Sequence, residues 1–361
     1  MSITINDAIK MVIITFLCSA IMVPFVKKMA EFIGAVDIPN KRKVHKELIP
    51  RLGGVAIFLA FLLGYMLFAR QSIEMISILI GSFVIILTGV IDDIKPLPPR
   101  YKFAGQVIAA LVVVLYGGIV VNNISAFGFY IEFNQIVSKV LSVLFILGCI
   151  NAINLIDGLD GLASGIGSIY FLTIGIIAML MGQTTSLDVS LTFIMLGATL
   201  GFLVHNFYPA RIFMGDSGSM FLGFIISVIA LLGFKNVTFT SLIVPLFVLA
   251  IPILDTLFAI IRRMLKRQHI SQPDREHLHH QFLNMRFSHR NTVLIIYFID
   301  ILFAIASIIY VLKDPLWGQI IYTILLLIVV WLVAFTDIIT PKKPFEKSIK
   351  KLKNKISNNQ K

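Results

Sequence analysis

The chain has 361 residues, of which 58% are hydrophobic and 14% charged, and its mean hydropathy is +0.92. This composition excludes an ordinary soluble domain and predicts a membrane protein. The formal net charge of +12 would suggest a nucleic-acid partner in a soluble protein. Here the basic residues lie in the loops between apolar segments, so we expect membrane lipids and no nucleic acid as partners.

Apolar segments of the length that crosses a bilayer, about 20 residues, follow one another along the chain. We therefore predict an all-α polytopic membrane protein with about eleven transmembrane helices. One integral membrane domain would cover residues 1–338, and a basic cytoplasmic tail would follow at 339–361, near the anionic membrane surface. The predicted spans are 6–26, 53–70, 74–91, 103–120, 137–156, 163–181, 188–207, 219–234, 239–261, 292–312 and 317–338.

The loops differ in charge between the two sides of the predicted bundle. Lysine and arginine concentrate in one set of alternate loops, whereas the opposite set holds few of them. Because basic loops stay in the cytoplasm, we predict an N-terminus outside and a C-terminus in the cytoplasm. Every acidic or histidine-rich cluster then lies on the cytoplasmic side, which predicts a water-accessible site at the inner face of the plasma membrane.

The segment NAINLIDGLDGL places Asn151, Asn154, Asp157 and Asp160 at threefold spacing in an apolar context. On a helix, this spacing gathers the four side chains on one face. A carboxylate near lipid costs about 2.5 to 3.5 kcal/mol on insertion scales, so the pattern favours a protein-lined site that holds a cation or moves a proton. A helix end that reaches water is the alternative, although similar acidic clusters follow other apolar segments.

Three further carboxylate positions lie at the ends of apolar segments or within them. The adjacent Asp92 and Asp93 repel each other, which favours a bound cation, a raised pKa or full solvation. Asp216 precedes a span beside Ser217, where either residue could instead cap the helix. Asp255 lies inside the ninth predicted span, and is either a functional residue or a structural partner for a nearby cation.

Two loops are candidates for phosphate binding. The loop at 36–54 offers Arg42, His45 and Arg51 as cationic donors, although a plain positively charged cytoplasmic loop explains them as well. The loop at 262–291 contains PDREHLHHQF, whose histidines could grip a diphosphate, bind zinc or be solvated. The many carboxylates elsewhere suit Mg²⁺ or Mn²⁺ better than zinc. No Walker or dinucleotide-binding motif is present.

Five motifs, spread over residues 36–291, are similar to those of a known family. They are PNKRKVHKELIPRLGG, VIDDIKPLPPRYKFAGQ, NAINLIDGLDGLASG, RIFMGDSGSMFLGF and PDREHLHHQF. In this order they resemble the polyprenyl-phosphate N-acetylhexosamine-1-phosphate transferases. The chain looks closest to the bacterial enzymes that start wall teichoic acid or related surface glycopolymers. The sister enzymes that start peptidoglycan usually carry three consecutive histidines, where this chain has HLHH.

The resemblance implies transfer of GlcNAc-1-phosphate from UDP-GlcNAc to undecaprenyl phosphate, with Mg²⁺ as cofactor and Mn²⁺ as a substitute. It leaves open whether two copies associate as a homodimer. Three alternatives remain: a phospho-MurNAc-pentapeptide transferase, a cation-coupled transporter, and a nonenzymatic scaffold that binds anionic lipids. A transporter would commonly show repeat symmetry, and a scaffold would leave the acidic and histidine motifs without a role.

The resemblance also implies a role for each motif. Asp216 would be the principal metal ligand, and one of Asp92 and Asp93 would deprotonate the lipid phosphate or, in the case of Asp93, help to hold the metal. Asp157 and Asp160, with Asn154, would position the nucleotide and the reacting groups. The side chains expected to bind the UDP diphosphate are His277, His279 and His280, helped by Arg262 or Arg263.

Overall fold

A computed structural model of the protein describes residues 3–37, 48–69, 71–126, 129–235, 243–265, 277–312 and 315–335. Within these ranges, helices dominate and two short antiparallel hairpins join them. The helices are α1 (Ile5–Ile33), α2 (Gly53–Phe68), α3 (Ile73–Ile94), α4 (Pro99–Leu111), α5 (Gln135–Ile156), α6 (Leu162–Leu180), α7 (Leu187–Asn206), α8 (Gly215–Lys235), α9 (Ile243–Val248), α10 (Ala250–Leu265), α11 (Leu278–Asn284), α12 (His289–Leu312) and α13 (Pro315–Phe335). A π-helical turn, Val112–Tyr116, continues α4.

The first hairpin joins β1 (Val36–Asp37) to β2 (Ile49–Pro50), with Val36 opposite Pro50. The second joins β3 (Asn123–Ala126) to β4 (Phe129–Glu132), with Asn123 opposite Glu132. Both hairpins lie between helices along the chain. The predominance of long apolar helices agrees with the predicted all-α polytopic class.

Each predicted span overlaps a helix, but the number of spans is not settled. Among the described residues, seven helices are long and apolar enough to cross a membrane, namely α1, α3, α5, α6, α7, α8 and α12. The ninth predicted span is divided into α9 and α10. The count of eleven and the orientation in the membrane therefore stay predictions.

Helix α8 forms the centre of the bundle. In its most apolar window, 94% of the residues are buried, and the helix packs against α2, α3 and α5. Helix α1, by contrast, exposes Ile9, Ile13, Leu17 and Ile21 at every fourth position. A helix that is apolar all round belongs inside a bundle, whereas an exposed apolar stripe suits contact with lipid.

Glycines allow the start of α8 to approach its neighbours closely. A Cβ on Gly89 of α3 would lie 2.3 Å from the Cα of Ser217. Gly215 has a φ of +73°, and a Cβ there would lie 1.9 Å from the carbonyl oxygen of Arg51. Only glycine tolerates both the close approach and the left-handed backbone. These contacts bring the start of α8 against the end of α3.

The segment 50–54 is bound by the backbone to the segment that precedes α8. The N–H groups of Gly53 and Gly54 donate to the carbonyl oxygens of Phe213 and Met214 at 3.0 and 2.9 Å. The N–H of Phe213 donates to Pro50 at 2.8 Å. Two loops that are far apart in the sequence are thereby fixed at one end of the bundle.

Candidate active site

An ion-paired group at this end of the bundle joins three helices. The ammonium of Lys102, near the start of α4, contacts Asp92 Oδ2 at 3.1 Å and also contacts Asp216 Oδ2. The side chains of Asp92 and Asp216 are 7% and 17% exposed. We call Asp92, Asp93, Asp216 and Lys102 the carboxylate centre. Two largely buried carboxylates therefore converge on one cation.

The carboxylate of Asp216 is further oriented by α5. The Nδ2 group of Asn154 donates to Asp216 Oδ1 at 3.0 Å and to Ser219 Oγ at 2.8 Å. Ser219 in turn donates to the carbonyl oxygen of Gly215 at 3.0 Å. The structure thus brings the second, third and fourth motifs together around one carboxylate.

Asp93 uses both of its oxygens to hold the start of α8. Its Oδ1 accepts from the backbone N–H of Asp216 at 2.8 Å, and its Oδ2 accepts from the N–H and hydroxyl of Ser217 at 3.0 and 2.7 Å. Arg51 Nη2 lies 3.6 Å from Asp93 Oδ1, and Arg51 Nη1 lies 3.4 Å from Asp37 Oδ1. These contacts suit a helix cap. Asp93 is therefore occupied by the start of α8, whereas Asp92 contacts Lys102 through Oδ2 and accepts from the N–H of Leu97 at 2.7 Å through Oδ1.

Asp157 lies close enough to the carboxylate centre for the charges there to affect its pKa. It lies just beyond the end of α5, outside the membrane-spanning helices, and is partly buried. Burial, together with the charges on Asp216 and Asp93, raises the pKa of the Asp157 carboxyl to about 8. The guanidinium of Arg51 opposes this rise without cancelling it. Burial is the largest cause of this rise, and the charges on Asp216 and Asp93 add to it.

The four polar residues of the NAINLIDGLDGL segment do not share one helical face, so that expectation is wrong. Helix α5 ends at Ile156, which leaves Asn151 and Asn154 on the helix and Asp157 and Asp160 in the turn before α6. Asn151 donates to Gln106 Oε1 at 2.9 Å. The glycines that follow each aspartate favour a turn over continued helix.

Asp160 joins the turn before α6 to two other segments. Its Oδ2 accepts from the N–H of Ala210 at 2.9 Å, and its own N–H donates to His289 Nε2 at 2.9 Å. The ring of His289 stacks on Tyr208, with centroids 4.8 Å apart. Asp160 therefore holds the loop between α7 and α8 against the start of α12. Its predicted contact with the nucleotide stays a prediction.

The histidine motif is attached to α10. His277 Nδ1 lies 2.9 Å from Asp255 Oδ2, and both residues are buried. Arg262 and Arg263, near the end of α10, are also buried, with exposures of 1% and 6%. His280 lies in α11 and is partly buried. The side chain of His279, together with Arg42 and His45, lies outside the part of the chain that the structure describes.

Lys102 and His289 are site residues that the sequence reasoning missed. Lys102 is one of many basic residues in the loops, although it lies in the same motif as Asp92 and Asp93. A basic residue ten positions after a buried carboxylate was the available signal. His289 stands alone in the sequence, and no motif or spacing pointed to Asp160.

The residues of the carboxylate centre fit a hard divalent cation. Carboxylate oxygen is the ligand that Mg²⁺ prefers, and Asp92 and Asp216 already converge on the ammonium of Lys102. The charges on Asp216 and Asp93, which add to the effect of burial in raising the pKa of Asp157, are negative charges that such a cation would offset. Within the described ranges, no three His, Cys, Asp or Glu side chains form a complete ligand group. That is compatible with Mg²⁺, which is commonly held by one or two carboxylates, waters and substrate phosphates.

Comparisons with known proteins identify the family. The model of glycosyl transferase family 4 matches residues 75–234. The chain is 42% identical over 347 residues to a probable undecaprenyl-phosphate N-acetylglucosaminyl 1-phosphate transferase of Bacillus subtilis, covering 94% of this chain and 95% of the relative. This chain belongs to glycosyl transferase family 4.

Relatives of lower identity carry similar names. The chain is 34% identical to a decaprenyl-phosphate N-acetylglucosaminephosphotransferase of Mycobacterium tuberculosis, covering 75% of this chain and 74% of the relative. It is 33% identical to an undecaprenyl-phosphate alpha-N-acetylglucosaminyl 1-phosphate transferase of Pasteurella multocida, covering 79% and 82%. The protein is therefore a membrane phosphotransferase of this family. The matched region contains Asp92, Asp93, Lys102, Asn154 and Asp216.

Proposed function

We propose that the protein transfers GlcNAc-1-phosphate from UDP-GlcNAc to undecaprenyl phosphate. An oxygen of the lipid phosphate forms a bond to the phosphorus that carries the sugar, the diphosphate bond of the donor breaks, and UMP leaves. The names of the relatives support the sugar and the polyprenyl phosphate acceptor. The observation that carries the proposal is the convergence of Asp92, Lys102 and Asp216 at one end of the bundle.

The chemistry demands a site that brings two anions together. Both reactants carry phosphate, and their repulsion has to be offset before the phosphorus can be attacked. Lys102 supplies a cation beside Asp92 and Asp216, and Arg51 supplies a second one beside Asp93. Mg²⁺, when held by Asp216, would stabilise charge on the transferring phosphoryl group.

The carboxylates have separate tasks in this proposal. Asp92 accepts the proton of the lipid phosphate, since it is the member of the aspartate pair that faces Lys102 and Asp216. Asn154 keeps Asp216 in one orientation through its amide. Asp93 fixes the start of α8, so that Asp216 stays in place while the substrates bind. The histidine segment, which contains His277, His279 and His280, binds the donor diphosphate together with Arg262 and Arg263.

The test of this function is a transfer assay with the purified, lipid-reconstituted protein. Radiolabelled UDP-GlcNAc, undecaprenyl phosphate and Mg²⁺ are incubated, and the lipid product is identified by mass. We expect a lipid diphosphate GlcNAc, no product in EDTA, and recovery with excess Mg²⁺ or Mn²⁺. The Asp216→Asn variant serves as the inactive control. Formation of a MurNAc-pentapeptide lipid from the peptidoglycan precursor, without a GlcNAc lipid, would contradict the donor assignment.

The site is proposed to face the cytoplasm of a bacterial cell, at the inner side of the plasma membrane. The basic loops support this orientation. Its test uses a variant in which Cys18 and Cys149 are replaced and His279→Cys is introduced. An impermeant thiol reagent should label this cysteine only after the cells are opened. Labelling from outside intact cells would contradict the orientation.

The product is proposed to start wall teichoic acid or another surface glycopolymer. The HLHH form of the histidine motif supports this branch over the peptidoglycan branch. Depletion of the protein in its own host should lower the amount of wall teichoic acid or other surface glycopolymer. The amount of the peptidoglycan lipid precursor should stay at its normal level. Loss of the peptidoglycan lipid instead would refute this assignment.

A further inference from the structure

A buried contact between α10 and α11 lies outside the carboxylate centre. Asp255 and His277 are 4% and 5% exposed. His277 Nδ1 lies 2.9 Å from Asp255 Oδ2, and the backbone N–H of Leu278 donates to Asp255 Oδ1 at 2.7 Å. One carboxylate thus contacts both the ring and the backbone of the same short segment. Two contacts of this kind fix the direction of the segment as well as its position.

The contact determines which ring nitrogen of His277 carries the proton. An ionised carboxylate only accepts hydrogen bonds, so the nitrogen that faces it must be the N–H donor. In the neutral ring, Nδ1 then carries the hydrogen and Nε2 carries the lone pair. A carboxylate behind a metal-binding histidine orients the ring in this way at many metal sites. Asp255 therefore sets both the tautomer and the direction of Nε2.

The same helix supports the basic residues of this region. Arg262 follows Asp255 by seven residues, so the two lie two turns apart on one face of α10. Both are buried, with exposures of 4% and 1%. Because Asp255 attaches the histidine segment to α10, the histidines and the arginines are both held in position by this helix. Groups that are held in place before binding avoid the entropic cost of being ordered by the ligand.

We propose that Asp255 is a positioning residue for donor binding. It holds His277 with the hydrogen on Nδ1 and attaches the histidine segment to α10, so that the donor diphosphate meets an arranged set of side chains. The proposal rests on the proposed function in taking a nucleotide diphosphate as the ligand.

The Asp255→Asn variant tests the proposal because it keeps the shape of the side chain. The amide oxygen can still accept from Leu278, but the amide N–H₂ then faces His277 Nδ1 and favours the hydrogen on Nε2. We expect the KM for UDP-GlcNAc to rise about tenfold, as for other residues that orient a ligand-binding histidine. The KM for undecaprenyl phosphate should stay within about twofold, since Asp255 is not expected to act on the acceptor.

A double-variant cycle separates positioning from a general loss of structure. If Asp255 acts through His277, then adding Asp255→Asn to His277→Ala should change the donor KM no further. Additive losses would overturn the proposal. Asp188→Asn is the matched control, since Asp188 is equally buried but lies at the start of α7, the end opposite Asn206. Its donor KM should equal that of the wild type.

A spectroscopic measurement tests the inference without turnover. Nitrogen NMR of protein with labelled histidine, recorded where the rings are neutral, distinguishes the two tautomers, and the His277→Ala variant assigns the signal. We expect the hydrogen on Nδ1 in the wild type and on Nε2 in Asp255→Asn. The opposite tautomer in the wild type would refute the proposal. A wild type that shows the expected tautomer but makes no GlcNAc lipid would refute the proposed function alone.

Discussion

The lysine of the carboxylate centre offers the most direct test of the site. Lys102→Met keeps the length of the side chain and removes its charge. The change leaves Asp92 and Asp216, whose side chains are 7% and 17% exposed, without the cation between them. A hydrogen bond to a charged group contributes about 1.5 to 3 kcal/mol. Lys102 makes two such contacts, but its side chain is 26% exposed, so solvent screening reduces their sum.

We take about 3 kcal/mol as the combined loss, which corresponds to roughly a 100-fold fall in kcat/KM. The assay measures initial rates of lipid-linked GlcNAc formation at saturating Mg²⁺, and melting temperatures report on folding. Lys139→Met is the matched control, because Lys139 is an exposed lysine near the start of α5, the helix end opposite Asn154. A Lys102→Met enzyme that retains kcat/KM within about threefold of the wild type would refute this reasoning.

Three other predictions concern the same end of the bundle. Asp216→Asn should abolish transfer at every pH, because an amide cannot replace the charge of a metal ligand. The activity of Asp92→Asn should recover partly at high pH, where the lipid phosphate is already ionised. A flat pH profile of residual activity for Asp92→Asn would argue against the role of Asp92 as a base. Gly89→Ala places a Cβ 2.3 Å from the backbone of Ser217, so it should cost about 1 to 3 kcal/mol of stability and lower activity. The control Gly148→Ala should do neither, because nothing lies within 4 Å of its new Cβ. Equal melting temperatures for the two variants would contradict the close packing of α3 against α8. The pKa of Asp157 is raised to about 8, so the contribution of this group to stability is complete below pH 4 and is lost as the pH rises through about 8. In EDTA, the melting temperature should therefore fall less between about pH 6 and pH 9 for Asp157→Asn than for the wild type. An identical fall in melting temperature for the two proteins would count against the raised pKa.

Much of the fold follows from local patterns in the sequence. Apolar runs of about 20 residues are sufficient to locate membrane helices, because length and hydropathy are local properties. Each predicted span accordingly overlaps a helix. The break between α9 and α10 was not predicted, since a continuous apolar run does not reveal where a helix is interrupted.

The sequence predicted most residues of the candidate site, but it did not predict the contacts between them. The motifs pointed to Asp92, Asp93, Asn154 and Asp216, and the structure brings these residues together. The difference in role between Asp92 and Asp93 was not visible, because adjacent identical residues carry no sequence signal for the direction of their side chains. Asp93 lies against the start of α8, whereas Asp92 lies against Lys102.

Asp255 shows the same division from another region of the chain. Its position within an apolar segment marked it as a candidate, with either a functional or a structural role. The sequence could not pair it with His277, because the two residues are 22 positions apart and no local pattern links them. The pairing depends on how α11 packs beside α10, which only the folded chain determines.

The sequence by itself determined the membrane class, the approximate helices, the family motifs and the residue types that phosphoryl transfer requires. These are set by composition, periodicity and short spacing, which act within a few turns of chain. The tertiary structure decided which carboxylate faces Lys102, which one caps α8, and which histidine meets Asp255. Those outcomes depend on close approach between helices that are distant in sequence, such as the approach of Gly89 to Ser217, and local patterns carry no measure of that distance.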